Sequence, residues 1–139
     1  MANEVIIKST NGQGKLVFSN ASFNENNNLA GFDVALHVPG ASGKTNVYAY
    51  APHGHVLSNF FADIADNWRG WLGVKEYCSL ESDLEINATS DSTGHVRLEI
   101  TLRSNTYFWH IGGAIELDAS QLDIINEELK VFTKKSAAS

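Results

Sequence analysis

The sequence predicts an α+β fold: a twisted, mostly antiparallel sheet or open sandwich of about seven strands, one amphipathic helix packed on it, and a C-terminal helix. Three observations predict it. Apolar residues alternate with polar ones along most of the 139-residue chain. Helical periodicity interrupts that alternation twice. The strand connections that contain no helix are short, which favours antiparallel pairing.

The elements follow in order. Glu4 to Lys8 and Lys15 to Phe23 read as a hairpin across the turn Asn11-Gly12-Gln13-Gly14. Asn24 to Asn28 is a loop dense in asparagine, a residue that tolerates left-handed backbone. Phe32, Val34, Leu36 and Val38 give a third strand with one buried face. A turn over Pro39–Lys44 leads to a fourth strand, Val47–Ala51, with Tyr48 and Tyr50 on one face. Val56, Leu57, Phe60, Phe61, Ile64, Ala65 and Trp68 then recur at helical spacing, which predicts a helix over 56–69 stopped by Gly70. Leu84, Ile86 and Ala88 alternate, as do Val96, Leu98, Ile100 and Leu102, and the two runs read as a second hairpin. In the last strand, Tyr107, Trp109, Ile111, Gly113, Ile115 and Leu117 form the inward set, with Gly112-Gly113 marking a bulge or a close approach. Ser120 is placed to cap the final helix, with Asp123 in its first turn, and Leu122, Ile125, Leu129 and Phe132 are its apolar stripe. Residues 1–133 are expected to form the one α+β domain and 134–139 a polar tail.

Bulk composition narrows the function classes. Ten basic against sixteen acidic residues give a net charge of −6, which argues against a nucleic-acid partner while leaving room for a local basic patch. Apolar runs are too short to span a membrane, and the N-terminus has neither the basic nor the apolar region of a signal peptide. The single cysteine, Cys78, forms no intrachain disulfide, and we expect a cytoplasmic protein.

Few residues carry chemistry. His53-Gly54-His55 is the best metal-like pair, but a metal needs further donors such as His37, Asp63 or Asp66. The plain reading is a loop whose imidazoles satisfy the start of the helix. His95 and His110 lie on neighbouring strands with no partner evident from spacing. Cys78 reads as a small buried hydrophobe rather than a nucleophile. Gly40-Ala41-Ser42-Gly43-Lys44-Thr45 is two residues too short for a phosphate-binding loop and runs into a strand instead of a helix. Glu81, Asp83 and Glu85 stand at period two, and with Glu99 they are expected to present an acidic face. In Trp68-Arg69-Gly70-Trp71, Trp68 reads as helix core, with Arg69 and Trp71 either anchoring the exit loop or forming an exposed contact point.

The stretch from Phe60 to Leu122 carries a pattern of its own. Asp66-Asn67-Trp68-Arg69-Gly70-Trp71 is followed by Lys75, Ser79-Leu80-Glu81, Asp91, Gly94-His95-Val96, Leu102-Arg103, Trp109 and Ala119-Ser120-Gln121-Leu122. It resembles an uncharacterised family of small bacterial single-domain proteins. The resemblance implies a common fold and a bacterial origin, and it supplies no catalytic residues.

The leading expectation is a non-enzymatic bacterial binding protein, one form of which is a toxin-neutralising, immunity-like protein acting by occlusion. The acidic face would steer a basic protein partner, with Trp71, Arg69 or Tyr48 as anchor. Two alternatives stay open: a small-molecule binder with an apolar cavity lined by Phe60, Phe61, Tyr48, Tyr50 and Trp109, and a metal-dependent hydrolase using His53 and His55. We expect no cofactor, no nucleic acid and no membrane, while unpaired edge strands are compatible with a homodimer.

Overall fold

Strands form where the alternation runs, and they divide into two sheets. The computed structural model describes residues 4–49, 56–91 and 93–134. The first sheet has the order β1 (Glu4–Lys8), β2 (Lys15–Phe23), β3 (Leu29–Val38), β4 (Ala41–Tyr48). The second has the order β5 (Lys75–Cys78), β6 (Leu84–Ser90), β7 (His95–Ser104), β8 (Trp109–Asp118). Every pairing is antiparallel and joins consecutive strands. Helices α1 (Val56–Asp66) and α2 (Ala119–Phe132) complete the fold.

Where the sequence led us to expect one sheet or open sandwich of about seven strands, the described residues form two antiparallel sheets of four. β5 escaped the pattern because only Tyr77 of its four residues faces inward, and one apolar position makes no alternation. Burial of that side chain pushes the Tyr77 hydroxyl up to about 12, with the neighbouring Cys78 adding to the shift. Cys78 itself is exposed, contrary to the expectation of a buried hydrophobe, because it takes the opposite face of the strand.

The third turn is only Pro39-Gly40, and β4 starts at Ala41, six residues before the expected strand. Its inward positions include Gly43 and Thr45, so it shows little hydrophobic alternation. The fit at Gly43 is tight, since a β-carbon there would sit 3.0 Å from Ile111 Cγ2 and 3.3 Å from the Trp109 ring. At Gly113 of β8 a β-carbon would lie 2.9 Å from Val38 Cγ1. The two sheets therefore touch through small residues, where the β3–β4 hairpin lies over β8.

At another corner the sheets are stitched by hydrogen bonds. Thr10 N donates to Glu116 O at 2.8 Å and Glu116 N donates to Ser9 Oγ at 3.0 Å, while Gln121 Nε2 of α2 donates to Lys8 O at 3.0 Å and ties the helix to β1. The core is one continuous apolar cluster spanning both sheets and both helices. Phe132 of α2 packs on Phe18 and Phe32 of the first sheet, with ring centroids 6.2 Å apart in each case. Phe60 of α1 lies 5.3 Å from Phe61 and 6.0 Å from Tyr77 of the second sheet.

Both helix boundaries differ from expectation. α1 stops at Asp66, and the chain turns at once as Asn67 N reaches Asp63 O and Ile64 O. Asn67 Nδ2 also donates to Asp63 O at 2.8 Å, a side-chain bond that ties this turn to the end of the helix. Trp68 therefore leaves the apolar stripe and is about half exposed, rather than part of the helix core. α2 begins at Ala119 with Asp118 as N-cap, not Ser120, and Asp118 N donates to Gln121 Oε1 at 2.9 Å. Its expected stripe of Leu122, Ile125, Leu129 and Phe132 is buried.

Candidate functional site

The aromatic segment after α1 works mainly as a clamp. Trp71 is half-buried, and its Nε1 donates to Ala88 O at 3.3 Å. Lys75 Nζ lies 5.5 Å from the centre of the Trp71 ring and 2.8 Å from Asp63 Oδ2, linking helix, loop and β5. The Arg69 guanidinium stacks 5.0 Å above Trp68, and both side chains are exposed. Leu72, next in line, is fully exposed.

The four acids do not make one acidic face. Only Glu85 lies on β6; Glu81 and Asp83 belong to the β5–β6 turn. Glu85 pairs with Arg103. Glu99 pairs with Arg97, which also reaches Glu116 Oε2 at 3.5 Å. Asp83 is buried, and loss of water together with the nearby Glu81 pushes its carboxyl above the usual carboxylate range. The period-two spacing held no information here, because the turn breaks the strand between Cys78 and Leu84.

That turn builds a feature the sequence reading missed. The β5–β6 turn and the β7–β8 turn lie at the same end of the second sheet and are laced together. Asn105 Nδ2 donates to Glu81 O at 3.3 Å and to Asp83 Oδ1 at 3.4 Å. Arg103 N donates to Asp83 O at 2.9 Å, and Arg103 Nη1 to Ser82 O at 3.3 Å. On this braced end Leu80, Tyr107 and Phe108 stand in solvent, 69, 77 and 90% exposed. Phe108 has φ +58° and Ser82 φ +61°, a left-handed backbone that non-glycine residues seldom adopt. Tyr107 was expected to face inward, but it lies in the turn before β8 begins. The available signal was the pair Tyr107-Phe108 itself, since adjacent residues of a strand cannot both face the core.

His95 has the partners that spacing did not reveal. Its Nδ1 is 2.8 Å from Thr93 Oγ1 and 3.2 Å from Asp91 Oδ2, and its Nε2 is 3.4 Å from Asp118 Oδ1. Asp91 accepts from His95 N, Thr93 Oγ1 and Thr93 N, and these hydrogen bonds hold its carboxyl well below the usual range. The set latches the β6–β7 turn to the start of α2. Both carboxylates are engaged and the Thr93 hydroxyl already bonds Asp91, so it is built as a brace rather than as an activated nucleophile.

The remaining expected residues are dispersed. His53, His55 and Tyr50 lie outside the described residues. Among the described residues, no group of three or more His, Cys, Asp or Glu side chains is arranged to hold a metal ion. Tyr48 is 45% exposed on the first sheet, Phe60 and Phe61 are buried against each other, and Trp109 lies over Gly43. Among the described residues, no helix is long and apolar enough to cross a membrane.

Residues 7–136 match the model of a family of unknown function, DUF6228. The chain belongs to this family. The match extends well beyond Phe60–Leu122 and takes in nearly all of the first sheet. No curated protein matches the chain. In this DUF6228 member the Trp68–Trp71 segment and the Asp91–Val96 segment, separate in sequence, abut in space: a β-carbon on Gly70 would lie 3.2 Å from Ser90 Oγ and 3.3 Å from Asp91 O.

Proposed function

We propose that this chain is a non-enzymatic protein-binding module whose contact surface is the braced apolar end of the second sheet. One observation carries the reading: Phe108 is held almost wholly in water by a left-handed backbone, beside Tyr107 and Leu80, on turns made rigid by the Asn105 and Arg103 hydrogen bonds. Strained backbone and solvated aromatics both oppose folding, so their joint presence points to function. Rigid aromatics lose little entropy on binding and are frequent hot spots. Exposed Glu81 beside them and the net charge of −6 favour a basic partner. The mode of action is occlusion, in the manner of a toxin-neutralising protein of bacterial origin. The exposed free thiol of Cys78 suits a reducing compartment, which supports a cytoplasmic location.

A photo-crosslinking residue in place of Phe108 tests this in cells of the source organism. The expected result is one discrete adduct with a basic protein, weakened by Glu81→Lys. An adduct only with a second copy of the chain, or none, would overturn it.

A further inference from the structure

The outer face of the first sheet carries charge that stability does not ask for. Lys8 of β1 stands directly opposite Lys15 of β2, and Lys15 stands opposite His37 of β3. Each is the exposed neighbour of a fully buried residue, Ile7, Leu16 and Leu36, so all three point to the same solvent side. Like charges directly opposite on a sheet are destabilising. An edge-strand lysine guards against unwanted strand pairing, which would account for Lys8. It does not account for Lys15 and His37, because β2 and β3 are the interior strands.

The row ends in a concavity. Lys8, Lys15 and His37 line an open groove of about 600 Å³ with the Gly12–Gly14 turn and Pro39, and among the described residues no acidic side chain lines it. Among the described residues neither Lys8 nor Lys15 has an ion-pair partner, whereas Lys44 on the same face sits 3.9 Å from Asp33. A volume of this order suits a small ligand. Two lysine ammonium groups and an imidazole are donors to phosphate or carboxylate oxygens.

We propose that this groove binds a small, multiply charged, phosphate-bearing oxyanion. Binding would neutralise the opposed lysines, so the ligand relieves the repulsion that the free protein carries. The site lies on the first sheet and is independent of the Phe108 contact surface.

Pyrophosphate, citrate and an oligoglutamate peptide are the probes, titrated at low ionic strength against sodium chloride of matched ionic strength, with thermal denaturation and amide chemical shifts as readouts. The expected result is a saturable rise in Tm with pyrophosphate, with shifts confined to residues 8–15 and 37–39. Lys15→Gln should weaken pyrophosphate at least tenfold while melting no lower than the parent in its absence, which separates lost binding from lost folding. No saturable effect beyond sodium chloride, equal binding of citrate, an unchanged affinity in Lys15→Gln, or binding of oligoglutamate alone would overturn the proposal.

Discussion

A β-carbon on Gly70 would stand 3.2 Å from Ser90 Oγ and 3.3 Å from Asp91 O, closer than β-carbons ordinarily approach, where the exit loop of α1 meets the β6–β7 turn. The Gly70 φ of +118° is closed to ordinary L-residues as well. Gly70→Ala should therefore destabilise the fold by about 1–3 kcal/mol. Chemical denaturation checks this, and Arg69→Ala, which alters only an exposed stacking contact, should change stability by at most about 1 kcal/mol.

Trp71 holds that loop by its ring and its one donor. Trp71→Phe keeps most of the ring but loses the hydrogen bond to Ala88 O, and should lower stability by about 0.5–1.5 kcal/mol. Hydrogen exchange should then rise first in residues 68–75, since the loop loses its tie to β6.

Contact between the sheets depends on glycine. Gly113→Ala would press a methyl group into Val38 at 2.9 Å and should cost about 1–3 kcal/mol. Combined with Val38→Ala, the loss should be smaller than the sum of the two single changes, since each relieves the other. A strictly additive double mutant would refute the contact.

Two carboxylates should give pH effects of opposite sign. The folded protein holds the Asp83 proton more tightly than the unfolded chain does, so its contribution favours folding at low pH and is lost as pH rises through the raised value. Asp83→Asn should accordingly raise Tm at pH 7, with the gain fading toward pH ~3 as the parent Asp83 protonates. Asp91 has a depressed value, so its stabilisation is present above the ordinary carboxylate range and is lost as pH falls through the folded value. Asp91→Asn should lower Tm at pH 7, and the difference should narrow only in stronger acid. Melting curves across pH 2–8 read both.

Phe108 offers a test of function against stability. Phe108→Gly relieves the left-handed backbone and should stabilise the chain by about 1 kcal/mol, while weakening partner capture. A variant that is stabilised and still binds its partner fully would remove Phe108 from the contact.

The sequence alone determined the local layer of this protein. Alternation along β2, β3, β6, β7 and β8 and the stripe of α2 depend on which neighbours are apolar, and that is written in order along the chain. Strand β5 and the first half of β4 were not legible, because a strand of four residues or one lined by glycine and threonine carries no apolar period. The candidate sites were the tertiary structure's decision. Whether Glu81, Asp83 and Glu85 share a face depends on where a turn falls. Whether His95 meets Asp118 depends on β8 returning beside β7. The opposed Lys8, Lys15 and His37 lie 7 and 22 positions apart along the chain and become neighbours only through strand register. Apolar alternation is a property of single residues and their near neighbours, whereas a binding surface is made by residues that pairing brings together.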